Sequence, residues 1–213
     1  MNDKLNMGQS ASVELVRPSH PADQLSARGR FTVEHWRNGA KIADYELPNS
    51  ITNEGRTLLL NTFFNAATQI AAAGWYMGLV DNSGFSTFQV TDAYANLGLS
   101  GNSWVENTAY SLISGSTTAR PAWGPGTAAV PSGSTLATIT NASTVVFNIN
   151  ASGNIQGLFI CGGNDNCANK TNPNGSGQSL GAGSVLWSAA AFTTAPVAVQ
   201  NGDQLKVTYT VTA

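Results

Sequence analysis

Near the C-terminus, Leu205, Val207, Tyr209 and Val211 alternate strictly with Lys206, Thr208, Thr210 and Thr212. A period of two sends each set to one side of a strand, so this segment has one packed face and one wet face. The other apolar runs are short as well and end in turn residues. Residues 75–80 stop at Asp81-Asn82-Ser83-Gly84, residues 144–149 and 155–160 flank Ser152-Gly153, and residues 185–187 and 197–199 precede Asn201-Gly202-Asp203, read as the last hairpin turn. Strands of this length without alternating helices predict a mainly β fold, a β-sandwich or jelly roll.

One hairpin and one helix are expected ahead of that region. Residues 31–36 and 40–45 flank Asn38-Gly39, which accepts the positive φ values of a type I′ turn, and Pro48-Asn49 is expected to end the second strand. Thr52 or Asn53 is placed to cap a short helix over about 52–67, with Glu54 beside its positive end. Leu59, Phe63 and Ala66/Ala67 fall on one face, the side expected to pack. Gly55 weakens the first turn by up to about 1 kcal/mol.

Length and charge fix the organisation. At 213 residues the chain suits one large domain or two small ones, and all-β domains of this length are often undivided. Residues 1–29 contain Pro18 and Pro21 and almost no periodicity, and read as an extended N-terminal arm; residues 30–213 read as a single β-sandwich domain. Residues 115–134 and 161–183 are rich in Gly, Pro, Asn and Ser, long enough to suggest loops that contact a partner.

Charged side chains are only 10% of the chain, with 10 basic and 12 acidic residues and a net charge of −2. Residues 1–60 hold 14 of these 22. Without a basic field to gather phosphates, no nucleic-acid partner is expected. No stretch of about 18 apolar residues predicts a membrane span, and residues 1–10 lack the apolar core of a secretory signal. The composition, 42% apolar, is sufficient to bury a core.

Chemistry-bearing motifs are sparse. His20 lies in the arm and His35 on a strand, read as a surface-strand histidine; neither is placed to form a zinc site with Cys161 and Cys167. Those cysteines, six residues apart, are compatible with a local disulfide, although a reducing compartment would keep them as thiols. Gly177-Gln178-Ser179-Leu180-Gly181 matches a nucleophile elbow, yet no strand-to-helix context surrounds it and no histidine follows Ser179. Asn164-Asp165-Asn166 resembles part of a calcium loop without the downstream acid. Asp81 and Asp203 sit in turns that would use their carboxylates locally, leaving Asp92 and Glu106 without a sequence reason to pair. No catalytic residue, cofactor or metal is expected. Trp75 and Trp187 lie on strands and read as core, whereas Trp104 and Trp123 lie in loops and are candidates for contact with a partner or glycan.

Several strings resemble a group of tailed-bacteriophage virion proteins. They are Ser50-Ile51-Thr52-Asn53-Glu54-Gly55-Arg56 with Leu59-Leu60, Trp75-Tyr76-Met77-Gly78-Leu79-Val80 running on to Phe85, Ala119-Arg120-Pro121-Ala122-Trp123, Leu186-Trp187-Ser188, and Val199-Gln200-Asn201-Gly202-Asp203-Gln204-Leu205. They fall at intervals over residues 50–210. The resemblance implies a non-enzymatic structural protein of the capsid cement or decoration type, on the outer capsid surface of a virion assembled in the host cytoplasm. Its implied partners are the major capsid protein and further copies of itself. Arg17, Arg28, Arg30, Trp104 and Trp123 are the expected contact residues, with the arm gripping the shell. The alternative is a tail or fibre component that binds a host glycan or receptor, and a remoter one is a polysaccharide depolymerase using Asp92 or Glu106.

Overall fold

The computed structural model describes residues 27–97, 102–163, 165–170 and 184–213. In chain order the elements are β1 (Arg28–Arg37), β2 (Ala40–Ser50), α1 (Asn53–Phe64), β3 (Trp75–Asp81), β4 (Glu106–Asn107), β5 (Tyr110–Ser111) and β6 (Thr138–Thr140). They continue with β7 (Val145–Ile149), β8 (Gly153–Gly162), α2 (Asp165–Ala168), β9 (Val185–Ala191), β10 (Val197–Val199) and β11 (Gln204–Thr212). The fold is mainly β, with two antiparallel sheets, as the alternation and turn spacing predict.

The first sheet runs β2-β1-β11-β7-β5, with β6 also beside β11; the second runs β10-β8-β3-β4, with β9 also beside β8. The expected hairpin joins β1 to β2, and Asn38 and Gly39 take φ values of 51° and 78°. β2 continues past Pro48 to Ser50, farther than expected. It is an edge strand in the sheet order, where a proline nitrogen can face outward without breaking the ladder. β1 opens at Arg28, two residues before the expected start of the domain.

The main core lies between the sheets. Phe31, Val33, Phe147, Leu205, Val207 and Tyr209 of the first sheet meet Met77, Leu79, Leu158, Ile160, Val197 and Val199 of the second. A second cluster lies behind the second sheet, where Val80, Phe159, Cys161 and Leu186 pack on Tyr94, Leu97, Trp104 and Cys167. β8 is therefore buried on both faces, which is why residues 155–160 include a nearly unbroken apolar run instead of an alternation.

Two corners pass the chain between the sheets. β7 leads into β8, and β10 into β11, across residues 150–152 and 200–203. Asn201-Gly202-Asp203 is thus an inter-sheet corner and not the hairpin turn expected from sequence. The corners bond to each other: Ile149 N–H donates to the Asp203 carbonyl and Gly202 N–H to the Ile149 carbonyl, both at 2.8 Å.

Thr52 caps α1, accepting the Gly55 N–H on its hydroxyl at 3.1 Å. The helix ends at Phe64, three residues short of the expected limit, and Gly55 is its one buried residue. A Cβ at Gly55 would lie 2.8 Å from the Trp187 carbonyl oxygen, so glycine here permits close approach to β9. Phe63, expected on the packed face, is 71% exposed.

The segment 115–134 is an ordered strap. Met77 N–H donates to the Pro121 carbonyl, Trp123 N–H to the Trp75 carbonyl and Gly126 N–H to the Thr140 carbonyl, at 3.0, 2.8 and 2.7 Å. Cys161 and Gly162 belong to β8, so the second long segment begins later than expected. Residue 164 and residues 171–183, including Ser179, lie outside the described residues, as does the arm up to residue 26 with Arg17 and His20.

Candidate functional site

The alternation on β1 and β11 places their polar residues together on the outer side of the first sheet. The register sets Arg28 opposite Thr212, Arg30 opposite Thr210, Thr32 opposite Thr208, Glu34 opposite Lys206 and Trp36 opposite Gln204. β2 adds Glu46 beside Thr32 and Asp44 beside Glu34. Ion pairs knit this surface: Arg30 to Glu46 at 3.6 Å, and Lys41 to Asp44 and Glu34 at 3.0 and 3.5 Å. Asp44 and Glu34 raise the Lys41 pKa, mainly through its bond to Asp44. The Lys206 ammonium lies 3.7 Å from the centre of the Trp36 ring, whose N–H donates to Glu34 at 2.9 Å. The result is a face of mixed sign with a threonine-lined flank at Thr208, Thr210 and Thr212.

Most other charged side chains among the described residues are tied into the fold. Asp203 is buried and accepts two bonds from the Arg37 guanidinium, one from the Gln200 N–H, and shares a 2.8 Å contact with His35 Nε2. The Arg37 guanidinium above all, with the Gln200 N–H and His35, holds this carboxyl well below the usual carboxylate range against the opposing effect of burial. His35 is therefore buried, contrary to the surface position expected for it. Glu54 serves as more than a helix-end charge: its Oε2 accepts the N–H groups of Tyr94 and Leu186 at 2.9 and 2.7 Å. Asp81 accepts the Ser83 N–H within its turn, as expected.

An internal polar cluster sits behind the second sheet. Arg120, fully buried, makes two bonds to Glu106 and a third to the Cys167 carbonyl, each 2.8 Å. Cys161 and Cys167 are buried free thiols, and the Cys161 thiol donates to the Cys167 carbonyl at 3.8 Å. Burial pushes the Cys161 thiol up, while the bond from Cys161 brings Cys167 down to about 7. Lys170 donates to the carbonyls of Thr108 and Tyr110 and covers the Tyr110 ring; burial lowers its pKa to about 8. These bonds join residues 167–170 to the segment 106–120. Residue types alone could not reveal the cluster: Glu106 and Arg120 are 14 positions apart, Arg120 meets the Cys167 carbonyl 47 positions on, and Lys170 reaches the Thr108 and Tyr110 carbonyls across 62 and 60.

The expected contact residues separate into two groups. Arg28 and Arg30 are exposed on the outer sheet face. Trp104 is 1% exposed and Trp123 6%, so neither ring is available for stacking on a partner or glycan. The loops that carry them fold back onto the sheets because each indole finds both an apolar bed and an acceptor. Trp104 packs against Phe88 and Phe159 and donates to Asp92 at 2.8 Å; Trp123 packs against Trp75 and Tyr209 and donates to the Tyr209 carbonyl at 3.2 Å. Trp123 does contribute to the wall of an open groove of about 350 Å³ with Leu112, Ile113, Pro121 and Val146. Asp92 and Glu106 are each engaged by a different partner, Trp104 and Arg120, and do not form a carboxylate pair.

Among the described residues no group of three or more His, Cys, Asp or Glu side chains could hold a metal ion, and no helix is long and apolar enough to cross a membrane. No protein-family model, curated protein or solved structure matches the chain.

Proposed function

We propose that this chain is a non-enzymatic virion structural protein of a tailed bacteriophage, a cement or decoration protein that binds the assembled capsid shell. The observation that carries this reading is the partition of charge. Most of the described charges left outside the fold gather on one sheet face around Arg28, Arg30, Glu34, Asp44, Glu46 and Lys206, with Arg56 exposed apart from them on α1, while Arg120, Glu106, Lys170 and Asp203 stiffen the body behind it. A rigid slab with one polar, mixed-sign face suits attachment to a repeating protein surface through many hydrogen bonds and a few ion pairs. The virion resemblance of the strings between residues 50 and 210 supplies the identity of that surface, the major capsid protein.

The mechanism is linkage. A protein that binds the closed shell better than its separated subunits stabilises the shell by that difference in affinity. β1 begins at Arg28 on this face, and in this proposal residues 1–29 extend the grip to a neighbouring subunit. The alternative reading, a tail or fibre component recognising a glycan, loses its two expected recognition tryptophans to the core.

Co-sedimentation with assembled shells tests the proposal. Wild type is expected to pellet with shells, whereas Arg28→Glu/Arg30→Glu and a chain lacking residues 1–26 should stay in the supernatant with their β-domain folded. Undiminished pelleting of both variants would overturn the assignment of the face and the arm.

A further inference from the structure

The first sheet has a gap along β7. Ile149 N–H donates to the Asp203 carbonyl and the Ile149 carbonyl accepts the Gly202 N–H, so the backbone groups of Ile149 point to the β11 side. Alternation turns those of Phe147 and Val145 the same way, and those of Asn148 and Val146 to the opposite side. There β5 sets Ser111 against Asn148, and the chain then leaves the sheet. Leu112 N–H donates to the Ser116 carbonyl and Gly115 N–H to the Leu112 carbonyl, both at 2.9 Å. The strap returns to this edge only at Ala142, whose N–H donates to the Gly124 carbonyl at 2.9 Å. Among the described residues nothing bonds the outward N–H or carbonyl of Val146 between those two points.

The open groove of about 350 Å³ lies at this gap, with Leu112 and Ile113 at the β5 end, Trp123 on the strap, and Val145 and Val146 along β7. No charged side chain is among its lining residues. The other open edge of the sheet, β2, is protected by Pro48 and by the charges of Asp44 and Glu46. β7 has neither device.

The unpaired backbone indicates what fills the gap. A donor and an acceptor at ladder spacing are matched by an extended peptide, and the apolar walls select aliphatic side chains at alternate positions. Residues 171–183 offer no such alternation, but the arm does: Ala11, Val13 and Leu15 alternate with Ser12 and Glu14, and Pro18 follows, where a strand would stop. The 13 residues from Leu15 to Arg28 span up to about 45 Å. The open side of Val146 is nearer than that, six residues along β11 (Thr212 to Lys206) and three strand spacings across from Arg28, about 25 Å.

We infer that residues 11–15 of the arm add to β7 as a further strand, with Glu14 against Val146 and with Val13 and Leu15 turned into the groove. Glu14 then lies on the outer sheet face, where Lys206 stands opposite Val146. In the free chain the short span favours the arm's own groove, and copies held side by side can exchange arms through the same contact. The inference rests on the gap in the sheet and the pattern of the arm, not on the virion reading, and its test uses the purified full chain without shells.

Amide hydrogen exchange, read at Val146 by NMR, should be at least about tenfold slower in the wild type than in Val13→Asp/Leu15→Asp. Both substitutions lie in the arm, so the thermal transition of the β-domain serves as the control for folding. As a second measurement, Glu14→Cys/Val146→Cys oxidised in air with copper phenanthroline should form a disulfide, within one chain or between two. Glu14→Cys/Ile42→Cys should not, although Ile42 is 49% exposed, because it lies on β2 at the far side of the sheet. Equal exchange at Val146 in the two chains would overturn the inference. So would crosslinking no faster at Val146 than at Ile42.

Discussion

Arg120 and Glu106 meet inside the molecule through two parallel bonds, Nε to Oε1 and Nη2 to Oε2, each 2.8 Å, with both side chains almost fully buried. A buried pair of this kind is hard to break from one side, because the surviving charge is left unpaired in a poor solvent. Glu106→Gln should therefore cost about 3–5 kcal/mol of unfolding free energy. The double change Arg120→Met/Glu106→Leu should recover much of that loss. Urea denaturation reads both, and a Glu106→Gln loss below about 1 kcal/mol would show that the pair does not carry this weight.

Acid should attack a different clamp. Asp203 titrates below an ordinary carboxylate in the folded chain, chiefly because of Arg37. Its stabilising contribution is thus complete above the unfolded aspartate value near 3.9 and fades as pH falls through the lower folded value. Asp203→Asn should be less stable than wild type at pH 7, and the gap should narrow below about pH 4. Thermal unfolding from pH 7 to pH 2.5 measures it; a gap that widens toward acid would reverse the sign and refute the assignment.

Trp104→Ala and Trp123→Ala should behave as core truncations, each destabilising by about 3–5 kcal/mol. On a surface-contact reading they would leave the transition unchanged. Denaturant midpoints distinguish the two directly.

Close backbone packing gives a matched pair of glycine tests. A Cβ at Gly157 would lie 2.1 Å from the Ala190 carbonyl oxygen, whereas a Cβ at Gly153, on the same strand, meets nothing within 4 Å. Gly157→Ala should destabilise by about 1–3 kcal/mol and Gly153→Ala by much less. Equal effects would contradict the tight β8–β9 spacing.

Cys161 and Cys167 should remain thiols that iodoacetamide reaches only as fast as the fold opens. Mass spectrometry of the native chain at pH 8 should find little labelling, and both sites labelled in urea. Rapid modification of Cys167 in the native chain would show that the packing over it is loose.

Much of the β-framework was legible because it obeys short-range rules. The Asn38-Gly39 turn, the Thr52 cap and the alternation of Leu205, Val207 and Tyr209 each depend on neighbours a few residues away. What the sequence concealed depends on distant partners. His35 looks like a surface histidine until β11 brings Asp203 beside it, 168 positions later. Trp104 and Trp123 sit in irregular sequence that reads as exposed loop, yet the second sheet needs cover on its far side and the sandwich needs a wall at its edge. In α1 the expected face of Leu59, Phe63 and Ala66/Ala67 divides: Leu59 packs against the main core, whereas Phe63 is left exposed near the end of a helix that stops at Phe64. Of the proposed contact residues, Arg28 and Arg30 lie in the charge-rich first 60 residues, yet Arg28 belongs to β1 and not to the arm. Glu34, Asp44, Glu46 and Lys206 join them only through strand register.

The central claim is that many copies of this chain coat a phage capsid. Its most direct test is the number of copies per purified particle, by quantitative mass spectrometry against the major shell protein. A cement protein bound across the lattice predicts copies on the order of hundreds, scaling with the shell subunits. Absence of the chain from purified particles would contradict the claim outright, and a dozen or so copies would move it from the shell to the tail.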